Sequence, residues 1–399
     1  MRFRYAFPTL LLASTLGAVA PVATQEPWPT RDWTSASPAE VGLDMKVLAA
    51  FDADLAAGKY GLVDSMLVIR HGRVAYERAY RHDYGAIYGE QAKKRSRLNA
   101  LDPGGPYNYF NPWWHPYYRR GDLHTMQSVS KTVTSVVIGV ATARREFPPL
   151  DTPVLSFFDA GQVKNVDARK QRMTLRHLLT MTAGLEWHED LPYDDPKNSC
   201  GLMEASFDWV RFAIDQPMSD EPGARFNYNS GAILILAHVF RKATGHDLEE
   251  YAARHLFAGL GIERWFWKRT PTGFADTEGG LYLRPRDLAK IAYLFLKDGR
   301  WEGQAVVEPG WVKESVAPNT TVADGVRYGF TWWLDRHSGD KWAFGGSGFG
   351  GQLPIVVPEH DLVMVFTGWN IPGGEPSLTA RAAIERVLAA VIAPGGSTR

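Results

Sequence analysis

Only one cysteine, Cys200, occurs in 399 residues. A lone thiol excludes an intramolecular disulfide framework and a cysteine zinc cluster, and it reads as a structural or incidental thiol. Excess charge is also missing, since 44 Lys and Arg balance 44 Asp and Glu. Nothing in that balance favours nucleic acid or an anionic membrane surface as a partner. Beyond the first twenty residues, no apolar run reaches the length of a membrane span. No His-Glu-x-x-His occurs, and His177 and His188 sit in unrelated contexts, so no metal and no cofactor is expected. Internal repeats are absent, and the one biased tract is a proline- and aromatic-rich stretch at 103–118.

The N-terminus is informative. Met1-Arg2-Phe3-Arg4 is basic, an apolar segment runs to Ala20, and a polar, proline-containing stretch follows. That layout predicts a secretory signal peptide over 1–23, and with it a periplasmic or secreted protein; an uncleaved anchor is the alternative. Residues 24–399 are expected to form a single domain, with oligomeric state left open.

Hydrophobic periodicity then orders the chain. Ala39–Ala57 predicts an amphipathic helix, and Ser65–Arg70 with Arg73–Tyr80 a hairpin around His71-Gly72. Tyr84 to Arg120 shows no clear period. A helical region spans about 145–275, with helices at Leu175–Thr182, Ser206–Gln216, Gly231–Thr244 and Leu248–Leu256. Pro285–Gly299 is a further helix. Strands follow at Tyr328–Leu334, Trp342–Gly345, Gln352–Val357 and Leu362–Thr367, then a helix at Ser377–Ile392. The expected fold class is α/β (α+β): an antiparallel sheet flanked by helices, built from both termini, with an inserted all-helical subdomain.

Ser128-Val129-Ser130-Lys131 opens an apolar helix at the junction of these halves. Residues three apart share a helix face, so the Ser128 hydroxyl and Lys131 amine can meet. No charge occurs between Lys131 and Arg144. Burial there is expected to lower the lysine pKa and let it take the serine proton. The alternative is a lysine that snorkels to solvent. Tyr228 follows a Pro-Gly turn and precedes another apolar helix, where a phenol can relay a proton or simply pack. Ser230 can bind substrate or act as an N-cap. Gly345–Gly351 holds five glycines in seven positions, allowing close backbone approach to a ligand or a flexible hairpin turn. Ser338-Gly-Asp-Lys341 repeats the Ser-x-x-Lys spacing in a polar turn with no helix to align it.

The order of these elements resembles the penicillin-recognising serine hydrolases, the superfamily of class C β-lactamases, D-alanyl-D-alanine carboxypeptidases and related esterases. Met173–Trp187, with its His-Leu-Leu-Thr core, and Gly279–Ala289 also look like segments of that superfamily. Ser230 replaces the frequent asparagine of the second motif. The third motif reads Gly346-Ser347-Gly348, without the family cation that engages a substrate carboxylate; Arg225 or another arginine is a candidate substitute. This combination looks most like the 6-aminohexanoate-dimer hydrolase and esterase branch.

The resemblance implies an exported serine hydrolase working through an acyl-enzyme on a small ester or amide. Catalysis would fall to Ser128, Lys131 and Tyr228, and the oxyanion hole to the N–H groups of Ser128 and Phe349. Ser230, Gly346, Ser347 and Gly348 would bind substrate. Trp113 and Trp114, within Tyr107–Tyr118, are expected to wall the cleft. A β-lactamase or D-alanyl-D-alanine carboxypeptidase is the alternative activity. A non-catalytic binding relative is the alternative class, although a binder needs none of the proton-transfer groups.

Overall fold

A computed structural model describes residues 28–99, 101–159, 161–371 and 376–392. The signal peptide expected over 1–23 lies outside the described residues. Nine strands form the central sheet: β1 (Thr34–Ser35), β2 (Val63–Arg70), β3 (Arg73–Ala79), β4 (Thr320–Ala323), β5 (Val326–Tyr328), β6 (Trp333–Ser338), β7 (Lys341–Gly345), β8 (Leu353–Val357) and β9 (Leu362–Gly368). Their order is β1-β3-β2-β9-β8-β7-β6-β5-β4, so both ends of the chain build one sheet. Only β1 runs parallel to its neighbour; the other pairs are antiparallel.

Period-two alternation splits the apolar side chains between two cores. In the β2–β9 register, Met66 opposes Phe366 and Leu67 opposes Val365. Met66, Val68, Met364 and Phe366 pack on one face with α1 (Met45–Ala56) and α5 (Ala380–Leu388). Leu67, Ile69, Val363 and Val365 pack on the other, with α2 (Val129–Ala143), α3 (Ser230–Thr244) and α4 (Pro285–Leu296). Every residue of α2 from Val129 to Ala141 is buried, as its apolar circumference requires. Between Thr125 and Phe266 the described residues form helices, turns and loops with no strand. Among the described residues no helix is long and apolar enough to cross a membrane.

Several boundaries depart from periodicity, each for a local reason. The first helix begins at Met45, because Gly42 turns left-handed (φ +69°) and Asp44 caps the Lys46 N–H at 2.7 Å. A helix at Tyr84–Ala92, capped by Asp83, occupies a stretch without clear period. Ser206–Gln216 shortens to Trp209–Ile214 behind the Asp208 cap. The expected strand Tyr328–Leu334 is two strands, β5 and β6, that pair with each other through Tyr328 and Trp333. Thr331, at φ +63°, turns the chain between them.

Candidate active site

A small sheet delivers two key residues together. His124–Thr125 pairs with Leu281–Leu283, and the Met126 N–H donates to the Leu281 carbonyl at 2.8 Å. Gln127 then turns sharply (φ +47°), its side chain donating to Thr125 Oγ1 at 2.8 Å. Ser128 emerges half-buried at the N-terminal end of α2. The other strand is preceded by a turn in which Asp276 Oδ1 accepts the Gly279 N–H at 3.1 Å, and this turn carries Glu278.

Lys131 Nζ donates to Ser128 Oγ at 2.9 Å. Its amine also donates to the Glu278 carbonyl at 2.7 Å and to Glu278 Oε2 at 3.2 Å. Burial pushes the Lys131 pKa down, but negative charge on Tyr228, Glu278 and Glu189 outweighs it, and the net shift is upward. Lys131 is therefore an ammonium and not the depressed amine that burial alone predicts. Tyr228 interacts with both Ser128 and Lys131, and its ring centroid is 5.2 Å from Lys131 Nζ. Burial raises the Tyr228 pKa most, Lys131 opposes that, and the net shift is upward. The Tyr228 ring also stacks on Trp333 at 5.8 Å.

Asn229, not Ser230, caps α3 by accepting the Ala232 N–H at 3.0 Å. Ser230 is fully buried, its hydroxyl donating to Glu189 Oε1 at 2.6 Å and its N–H to Glu189 Oε2 at 2.8 Å. Trp187 Nε1 and the Tyr193 hydroxyl complete the Glu189 shell at 2.7 and 2.9 Å.

β7 runs into Gly346-Ser347-Gly348-Phe349. A Cβ on Gly346 would stand 3.1 Å from Val129 Cγ2, so this loop lies on the first turn of α2. Ser347 is exposed, and the Gly348 N–H is bonded to the Gln352 carbonyl at 2.9 Å. Among the described residues, neither the Ser128 nor the Phe349 N–H donates to another protein group. Two unengaged donors beside a nucleophile have the character of an oxyanion hole.

A narrow, open-mouthed cavity adjoins Ser128; Arg97, Tyr109, Tyr193, Cys200, Glu204 and Glu278 are among its lining. Cys200, with no assigned role in the sequence, stands here with its thiol pKa well above normal through burial and adjacent carboxylates. Donor atoms of Cys200, Glu204 and Glu278 lie within 4.8 Å of one another. Both carboxyls are already engaged: Glu278 by Lys131 and Glu204, and Glu204 by the Tyr109 hydroxyl at 2.5 Å. Burial, then the adjacent Glu278 carboxylate, pushes the Glu204 pKa well up.

The structure thus brings Ser128, Lys131, Tyr228, Gly346, Gly348 and Phe349 together. It does not bring Trp113 or Trp114 to this cavity. Trp113 is 48% exposed, while Trp114 stacks on Phe266 and donates to the Gly104 carbonyl at 2.7 Å. From the same segment, Tyr109 reaches the cavity instead. Arg225 is exposed and paired with Asp220 at 2.9 Å.

The family model described as Beta-lactamase matches residues 52–389. The chain belongs to the β-lactamase family. Over 284 residues it is 26% identical to the 6-aminohexanoate-dimer hydrolase of Paenarthrobacter ureafaciens, covering 64% of this chain and 70% of that protein. Esterase EstB of Burkholderia gladioli is 28% identical over 225 residues, which is 54% of this chain and 50% of the esterase. In fold, the octameric penicillin-binding protein homologue from Pyrococcus abyssi superposes with a TM-score of 0.60 at 19% identity, covering 86% of this chain and 77% of that one. This β-lactamase-family chain is a serine hydrolase related to 6-aminohexanoate-dimer hydrolase and esterases. Glu278 and Glu189, outside every sequence motif, add to Tyr228 in holding the Lys131 pKa up.

Proposed function

We propose that this chain is an exported serine hydrolase that cleaves a small ester or linear amide through an acyl-enzyme on Ser128. The 2.9 Å hydrogen bond from Lys131 Nζ to Ser128 Oγ carries the proposal, with Tyr228 against both groups. Lys131 and Tyr228 titrate as a coupled pair. Because Tyr228, Glu278 and Glu189 together hold the Lys131 pKa up, loss of one proton from the pair leaves a Tyr228 phenolate stabilised by Lys131. That phenolate accepts the Ser128 proton as Oγ attacks the carbonyl carbon, and the Ser128 and Phe349 N–H groups receive the developing oxyanion. Tyr228 returns the proton to the departing alkoxide or amine. Water then repeats the sequence and releases the acid. Support for ester and amide substrates comes from the names of the two curated relatives. Support for export comes from the leader at 1–23.

A fluorophosphonate tests the nucleophile. Intact-mass spectrometry should show one adduct, lost in Ser128→Ala; an adduct on Ser130 or Ser347 would overturn the assignment. Lys131→Ala and Tyr228→Phe should each lower kcat by ~10²–10⁴, as for a lost general acid or base. Wild type should hydrolyse a chromogenic cephalosporin poorly beside its best ester, since Gly346 offers no side chain to a β-lactam carboxylate. Cell fractionation with N-terminal sequencing tests export.

A further inference from the structure

One charge in the cavity has no counterpart. Arg97 is half-buried and lines the same space as Ser128, Gln127 and Phe349. Its guanidinium makes no ion pair and no hydrogen bond among the described residues. The other charged side chains of that wall have partners. Lys131 faces Glu278 at 3.2 Å, and Lys268, behind them, faces Asp276 at 3.6 Å. Glu204 is hydrogen-bonded to Glu278 and accepts the Tyr109 hydroxyl.

The turn that presents Arg97 is anchored. Asn99 is fully buried, and its Nδ2 donates to the carbonyls of Ala92 and Lys94 at 3.2 and 3.0 Å. The Leu98 carbonyl accepts the Tyr109 N–H at 3.0 Å. A half-buried guanidinium on such a turn has lost part of its hydration without gaining an anion. Its planar fork suits a carboxylate bound through two parallel hydrogen bonds.

We propose that Arg97 receives a carboxylate on the acyl part of the substrate, making half-esters or half-amides of short dicarboxylic acids the preferred class. The inference rests on the acyl-enzyme proposed above. In that scheme the acyl group stays attached to Ser128 within the cavity, while the leaving group departs through the mouth. Tyr109, Tyr193 and Phe349 wall the space, which favours a short arm over a long chain.

The test compares half-esters of succinate, glutarate and adipate with neutral esters of the same length. In wild type, kcat/KM should favour at least one half-ester over its neutral match. In Arg97→Gln that ratio should fall tenfold or more, chiefly through KM, with Arg97→Lys intermediate. Calorimetric binding of the matching dicarboxylate to Ser128→Ala should be lost in Ser128→Ala/Arg97→Gln, a readout independent of turnover. A wild type without preference, or a ratio unchanged by Arg97→Gln, would overturn the assignment. Arg97-dependent dicarboxylate binding without any Ser128-dependent turnover would instead remove the acyl-enzyme and leave the carboxylate site standing.

Discussion

Ser230 Oγ lies 2.6 Å from Glu189 Oε1, and both groups are buried. The last residue of the Tyr-x-Ser motif therefore faces inward. With its N–H on the other carboxylate oxygen at 2.8 Å, Ser230 ties the start of α3 to the 187–193 loop and so fixes the turn presenting Tyr228.

Ser230→Ala removes one donor from a buried carboxylate, which costs about 1–3 kcal/mol when the acceptor is left short of partners. Denaturant unfolding should show that loss, with kcat lowered far less than in Tyr228→Phe. Unchanged stability with an altered KM would return Ser230 to substrate binding.

Glu278→Gln should shift the acid limb of the kcat/KM profile to lower pH. Activity needs one proton lost from the Lys131–Tyr228 pair. The Glu278 charge favours the protonated pair and so raises its apparent pKa. Removing that charge lets the proton leave at lower pH. A limb that stays put, or moves upward, would detach Glu278 from the proton-transfer pair.

At Gly348, a Cβ would stand 2.5 Å from the Met126 carbonyl oxygen and 2.6 Å from Gln352 Oε1. Gly348→Ala must displace this loop and the Phe349 N–H with it. Fluorophosphonate labelling should slow by ~10²–10³, the usual loss for one oxyanion donor. Wild-type labelling rates would remove Phe349 from the oxyanion hole.

The two adjacent tryptophans should behave differently. Trp114→Ala removes a ring packed on Phe266 and Tyr118 and should lower the melting temperature. Trp113, 48% exposed, should tolerate alanine with little change. Neither should alter preference among short acyl substrates, because neither lines the cavity beside Ser128. A shift in chain-length preference for either variant would place it in the cleft wall.

What could be read from the sequence was set by distance along the chain. Ser128 and Lys131 are one helical turn apart, so their meeting follows from periodicity. Glu278 is 147 residues from Lys131, and Glu189 is 41 from Ser230; no local pattern couples such pairs. The direction of the Lys131 pKa shift is hidden from the sequence for that reason. Burial is visible in an apolar run, whereas the carboxylates that reverse its effect arrive from other elements. Likewise, the aromatic run at 328–334 resembles a single strand until Thr331 turns it into a hairpin.

The pairing of β2 with β9 also constrains synthesis. Ser65 Oγ and Thr367 Oγ1 meet at 2.6 Å across 302 residues of chain. At ribosomal rates of about 5–20 residues per second, β2 waits roughly 15–60 s for its partner strand to emerge. During that interval the β2–β3 hairpin presents an apolar edge with nothing to close it. The last strand made is thus the one that ends the aggregation hazard, and a chain stopped before Leu362 would retain its Ser-x-x-Lys helix but no completed core beneath it.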